Sequence, residues 1–362
     1  MPQLLTLQAT RGIAANLVVF SHLFLVQAKY AAAAGVLPAF TLYGIAGMDV
    51  FFVLSGFIMV AVAGREIGPM QFLWRRASRI YPTYWMVSLA VLAVAIAAPA
   101  VVNSSVTVPI SLWRSFLLVP DETLPLLAVG WTLIHEMYFY LVFAIFLAIR
   151  LPVLAGLVGW GVLLLVIVAT VPDQVAASPV LRLVTNPLTL EFMMGAVVGV
   201  LWRKRHMPGV IAAGAVGLAA LAVSIGYIAP LLSPVTSPHL DVWRVIIFGV
   251  PSALLIYALT GIEMLYWKPR STALLVVLGD WSYATYLSHV LVISAIGRTL
   301  VFLAPAGGIG ASVMLVATGL LGANVVGAAI HVYCERPMLE RLRQFGARFA
   351  RPVESVVDET AQ

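Results

Sequence analysis

Ten runs of roughly 20 apolar residues, the length that crosses a bilayer as a helix, divide this chain. They lie at about 12–29, 43–63, 81–102, 125–149, 152–171, 187–202, 209–231, 243–262, 273–296 and 309–333. Of the 362 residues, 62% are hydrophobic and 10% charged, against about a quarter charged in an ordinary soluble domain. A water-soluble fold of this length buries only about three-quarters of its chain surface, too little to hide so much apolar area. The expected fold is therefore all-α, a polytopic membrane bundle of about ten transmembrane helices. The same arithmetic excludes a disordered chain. The single cysteine, Cys334, excludes a disulfide framework and a cysteine-rich metal site, and no metal is expected.

Basic charge sets the orientation. With the N-terminus inside, 16 of the 21 Lys and Arg residues fall in cytoplasmic segments, and only Lys29, Arg114, Arg182, Arg244 and Arg298 fall outside. The positive-inside rule accounts for that asymmetry and expects both termini in the cytoplasm. The net charge of +6 therefore needs no nucleic acid as a partner. Residues 1–34 imitate a signal peptide, with Arg11, an apolar stretch and Ala31–Ala34. The basic residue comes late, and a retained first helix is the preferred reading. After Pro337, the segment carrying Arg341, Arg343, Arg348 and Arg351 reads as a short interfacial helix whose role is topological anchoring. The division expected is a membrane domain over 1–343 and a polar cytoplasmic tail over 344–362.

Ionisable residues inside spans are costly, which makes them functional candidates. They are His22, Asp49, His135, Glu136, Glu191, Asp280, His289 and His331. Glu191 and Asp280 read first as capping or helix-packing residues. Arg11 and His22 are eleven residues apart, which returns a helix to within about 20° of the same face and separates the pair by roughly 16 Å. An imidazole on that stripe suits a general base, or a structural histidine. Thr132, Glu136 and Tyr140 share a face at i, i+4 and i+8. Glu136 there either orients an imidazole, takes a proton itself, or fixes the bundle through an interhelical hydrogen bond. His135 points about 100° away. Between the second and third spans, the loop from Leu73 to Pro82 carries Arg75, Arg76 and Arg79. Guanidinium forks suit phosphate oxygens, whether of a cytosolic ligand or of membrane lipids.

Taken in order, these clusters resemble the acyltransferase 3 family of integral-membrane acyltransferases, from Leu7 to about Arg343. The resemblance is carried by Leu7 to Ala15 followed by His22 (an Arg-x10-His pattern), Gly47 to Phe57, and Arg75-Arg76-x-x-Arg79 leading into Tyr81-Pro82. It continues through Trp131 to Tyr140, Leu278-Gly279-Asp280 with Tyr286-Leu287-Ser288-His289, and Glu335-Arg336-Pro337. Trp131 to Met137 is most similar to the exopolysaccharide O-acetyltransferases. With only 19 residues after Arg343, the extracytoplasmic esterase-like domain of some relatives is expected to be missing.

The resemblance implies a multi-pass protein of the bacterial cytoplasmic (inner) membrane. It would move an acetyl group from cytosolic acetyl-CoA, or another acyl-CoA, to a hydroxyl of a polysaccharide or lipid-linked sugar. It implies that Arg75, Arg76 and Arg79 bind coenzyme A phosphates, that Arg11 holds the donor, and that His22 is the base. Glu136 would orient His22 or relay the proton; a transient acyl-imidazole on His22 is the competing mechanism. Asp49 and Ser55 would shape the substrate cavity, with Trp131 and Tyr140 as a carbohydrate-facing wall or as packing. A secondary transporter or a sugar-lipid flippase is the alternative. The first should show paired repeats and broken helices at matching positions, which the sequence lacks; the second needs no arginine triad.

Overall fold

A computed structural model of the protein describes residues 4–30, 35–62, 68–98, 110–170, 178–228, 242–267, 270, 273–303 and 307–349. Ala31–Ala34, Arg351 and residues 350–362 of the expected tail lie outside them. Helices account for the regular structure of the described residues, and no strand occurs among them. In the first half they are α1 (Leu5–Tyr30), α2 (Gly47–Val62), α3 (Pro69–Ala97), the short α4 (Leu112–Leu117), α5 (Trp131–Ala148) and α6 (Val153–Thr170). Then come the short α7 (Pro179–Val184), α8 (Thr189–Arg203), α9 (Val210–Val223) and α10 (Val242–Leu265). The last four are α11 (Leu274–Asp280), α12 (Ser282–Leu303), α13 (Ile309–Ile330) and α14 (Arg336–Phe349).

Nine helices among the described residues are long and apolar enough to cross a membrane. The expected span at 152–171 coincides with α6, whose apolar stretch Val153–Ile167 is shorter than the other nine. The multi-pass membrane bundle read from the sequence is thus the fold. Its outside is what lipid requires, with Ile96, Leu165, Phe302 and Leu321 all exposed.

Helices without a hydrophobic drive toward one another pack through small residues and polar contacts. Helix α2 crosses α8 at backbone distance: a Cβ on Gly195 would lie 1.9 Å from the Val53 carbonyl oxygen, and one on Gly56 2.0 Å from that of Phe192. Helix α1 meets α11 the same way, a Cβ on Gly279 falling 1.9 Å from the Gln8 carbonyl oxygen. The first turn of α1 is seated on the buried carboxylate of Glu263 in α10, which accepts from the Leu5 and Thr6 amides at 3.0 and 2.8 Å. This satisfies donors that a helix start leaves open and places negative charge where the helix dipole favours it. Helix α3 holds α4 through carbonyls near the end of α4: Tyr84 donates to that of Ser115 and Trp85 to that of Phe116.

Two sequence expectations change. Arg75, Arg76 and Arg79 are not in a loop but on the first three turns of α3, which follows Gly68 and has Pro69 as its first residue. Nothing between Pro69 and Tyr81 breaks a helix, and arginine stems lie readily along a helix at a membrane surface. Proline is favoured in a first turn, so the element starts twelve residues before the apolar run. Arg244 is not an exposed loop charge either. It is buried on α10 and grips Asp49 of α2 through Nε at 2.7 Å and Nη2 at 2.8 Å. Glu191 of α8 is buried beside the pair, its Oε1 against Gly249.

The Asp49–Arg244 pair binds α2 to α10 in a medium that tolerates no lone charge. Asp49→Ala removes the bidentate partner of the guanidinium and is expected to cost about 3–5 kcal/mol, read as a lower melting temperature in detergent. Asp49→Leu combined with Arg244→Met should recover much of that loss; an unchanged melt in the single variant would show that the pair does not hold these helices.

Candidate active site

Helices α1, α2, α3, α5, α8, α12 and α14 contribute to a cavity of about 910 Å3. Along α2 its lining extends from Ala61 to Met48, roughly 20 Å at helical rise. Trp74, Arg75 and Arg343 are the exposed members of that lining and mark its mouth. Helix α14, read from sequence only as an anchor, is therefore a wall of the site; its Phe345 packs on Trp74 of α3, ring centres 6.1 Å apart.

A polar belt follows. Arg76 holds its guanidinium over the rings of Phe72 and Tyr140, 5.5 and 5.8 Å from their centres. Its Nε is buried without a hydrogen-bond partner. Cation–π contact offsets part of the charge and leaves the N–H donors for something else. Arg79 is treated differently: Glu335, wholly buried at the turn joining α13 to α14, lies 3.3 Å from its Nη1 and accepts from His331 Nδ1 at 2.8 Å. Arg11 enters from α1 within the field of Arg79, Glu335 and Glu136. Opposite, Glu136 Oε1 accepts from Ser55 Oγ at 2.7 Å and from Tyr140 Oη. Both donors use one oxygen, so Oε2 is free to face a cavity occupant.

Beyond the belt the lining turns apolar, with Met48, Phe51, Phe52 and Leu133, and ends at Tyr286 of α12 and Thr132 of α5. These two hydroxyls meet at 2.9 Å. The Tyr286 ring lies 5.8 Å from that of His289, which sits edge-on to His22 at 4.8 Å. His289 Nδ1 is 2.7 Å from the Tyr286 carbonyl, and His22 Nδ1 is 2.9 Å from that of Val18. Carbonyls only accept, so each Nδ1 carries hydrogen and each Nε2 keeps its lone pair.

The cavity thus gathers Arg11, Arg75, Arg76, Arg79, Glu136, Tyr140 and Ser55 from four helices. His22 is half-buried and stands behind the Tyr286–Thr132 wall rather than on the lining. Asp49 and Trp131 are not brought to the cavity: Asp49 serves Arg244, and Trp131 packs edge-on against Phe52 and His135 at 6.3 and 5.6 Å. His135 is a core residue between those rings. Asp280 accepts a hydrogen bond from Gln8 at 2.7 Å, with no bond to a backbone amide among the described residues.

Comparison with known proteins gives this arrangement a family. The acyltransferase domain of the acyltransferase 3 type matches residues 4–332, nearly the whole bundle. The chain belongs to the acyltransferase 3 family. It is 36% identical over 310 residues to the exopolysaccharide production protein ExoZ of Rhizobium meliloti (strain 1021), covering 83% of this chain and 91% of that one. It is 28% identical over 354 residues to the acyltransferase MdmB of Streptomyces mycarofaciens, covering 88% and 85%. No solved structure matches it. The protein is a multi-pass membrane acyltransferase of this family, and its α14, with Leu339 and Arg343 in the cavity wall, lies past the matched stretch.

Gln8, Tyr283, Tyr286, Glu335 and Arg343 line or organise the site without having been assigned to it from sequence. Gln8, Tyr286 and Glu335 fall within the segments that carry the family resemblance, and Tyr286 stands three residues before His289, on a neighbouring stretch of one helix face. For Glu136 the hydrogen bonds give a direct test. Glu136→Gln keeps an oxygen for Ser55 and Tyr140 while removing the charge and replacing the free oxygen by a donor. Melting should change by less than about 0.5 kcal/mol while acyl transfer falls roughly 100-fold; full transfer in a well-folded Glu136→Gln protein would take the residue out of the chemistry.

Proposed function

We propose that this acyltransferase moves an acetyl or other short acyl group from acyl-CoA in the cytosol to a hydroxyl of a polysaccharide or lipid-linked sugar on the far side of the bacterial cytoplasmic membrane. The observation that carries the reading is Arg76, a half-buried guanidinium balanced by aromatic faces rather than by a carboxylate, among four more arginines along one cavity. Such a set fits the phosphates of coenzyme A. A cavity depth of roughly 20 Å along α2 suits an extended pantetheine arm that carries the thioester past the belt. The similarity to ExoZ, an exopolysaccharide production protein, supports a glycan acceptor. Family membership favours acyl transfer over the transporter and flippase readings.

In the proposed reaction the acceptor hydroxyl oxygen attacks the thioester carbonyl carbon, and its proton goes to Nε2 of His22. The C–S bond breaks, coenzyme A leaves as a thiolate, and the proton on His22 passes to that sulfur, which restores the neutral imidazole. His22 has the tautomer this needs, because the Val18 carbonyl holds hydrogen on Nδ1. Its place behind Tyr286 fits an acceptor arriving from the side opposite the donor, the acyl group crossing at that wall. Glu136 balances charge in the belt and relays protons there. Direct transfer and an acyl-imidazole on His22 differ in one observable, since only the second labels the protein with donor alone.

Purified protein incubated with labelled acetyl-CoA and cell-surface polysaccharide tests the proposal. Wild type should label the glycan; His22→Ala should lower the rate by about 100-fold or more, and Arg76→Ala should weaken donor binding by roughly tenfold. Full activity in His22→Ala would overturn the base assignment, and unchanged donor binding in Arg76→Ala would remove coenzyme A from this cavity.

A further inference from the structure

Arg11 is the member of the arginine belt whose guanidinium is held by an uncharged partner. Its Nη1 donates to Gln8 Oε1 at 3.1 Å, and Gln8 Nε2 donates to Asp280 Oδ1 at 2.7 Å. The chemistry of the two ends fixes the amide between them. A guanidinium only donates and a carboxylate only accepts, so Gln8 has a single orientation that satisfies both. The three groups form a polarised file of carboxylate, amide and guanidinium, in which each bond strengthens the next.

The backbone is built to hold that file. Glycine at 279 lets α11 approach α1 until a Cβ there would stand 1.9 Å from the Gln8 carbonyl oxygen. Gly12 also faces α11, its Cβ position 2.6 Å from the Leu275 carbonyl oxygen. The Glu263 carboxylate fixes the height of α1 from its first turn. Gln8 and Arg11 both line the cavity, while Asp280 does not. Asp280 thus acts on the site through another side chain.

We propose that Asp280 is a positioning residue for the acyl donor, holding Gln8 so that one edge of the Arg11 guanidinium is tied back and the other is presented to the cavity. The inference rests on the donor-binding reading of Arg11 given above. It assigns to Gln8 and Asp280, which span α1 and α11, the task of setting the direction of that fork. A guanidinium without the tie keeps its charge but loses its aim, and bidentate recognition of an anion depends on aim.

Titration of acetyl-CoA into the purified full-length protein tests this. Asp280→Ala should weaken binding about five- to tenfold, and Asp280→Asn, whose oxygen can still accept from Gln8, should stay within about twofold of wild type. In an Arg11→Ala background, Asp280→Ala should add nothing further, since coupled residues are not additive. Equal weakening in both backgrounds would mark a packing effect and overturn the inference, as would wild-type binding in Asp280→Ala. Should that variant fail to fold, Gln8→Met breaks the same file from its middle, with Asp280 intact, and should weaken binding by a similar factor; wild-type binding there overturns the inference. Wild-type binding in Arg11→Ala would instead bring down the donor role of Arg11, and the positioning role with it.

Discussion

Charge is expensive in a lipid-dissolved bundle, and the whole interior is arranged around compensating guanidinium groups. Each of the four arginines that face the interior, of which Arg244 alone is fully buried, has its own solution. Arg244 takes a bidentate carboxylate from Asp49, and Arg79 takes Glu335. Arg11 is tied to an amide, and Arg76 rests between two aromatic faces. The first of these is fully neutralised and lies away from the cavity; the others become progressively less so as they line it. The gradation separates structural charge from charge available to a ligand. A carboxylate partner consumes the field of a guanidinium, an amide leaves most of it, and a ring offsets it without occupying its donors.

The fold rests on the same economy of polar contact. Where helices must meet closely, glycine removes the side chain, and where a helix must start inside the protein, a carboxylate from a distant helix accepts its amides. The cavity exists because α2 is pulled toward α8 on one side and α1 toward α11 on the other. That leaves α3, α5 and α12 to close the remaining space with aromatic and arginine side chains.

Most of this architecture was legible along the chain, and the limits are physical. Apolar run length gave the spans, because a helix in lipid must satisfy its own backbone. Helical spacing brought Thr132, Glu136 and Tyr140 to one face, and all three line the cavity. The same arithmetic put Arg11 and His22 on one stripe, yet a stripe does not say what stands between its ends. Tyr286, from a helix some 270 residues on, divides them. Pairs such as Asp49 with Arg244, Thr6 with Glu263 and Gln8 with Asp280 are 195, 257 and 272 residues apart. No local pattern announces them. Arg244 was misplaced for that reason: a basic residue near the end of a span reads as a loop charge until its partner is known.

The contact between Thr132 and Tyr286 has a consequence for movement through the bundle. The arginine cavity opens to one side of the bundle, and the histidine pair lies past its closed end. If the two joined, the bundle would hold one continuous passage instead of a pocket. Two hydroxyls at 2.9 Å, backed by a tyrosine ring packed on an imidazole, fill the space between them. In this conformation any group that passes from the arginine belt to the histidine pair must first part that contact, so the wall is also the place where passage is decided.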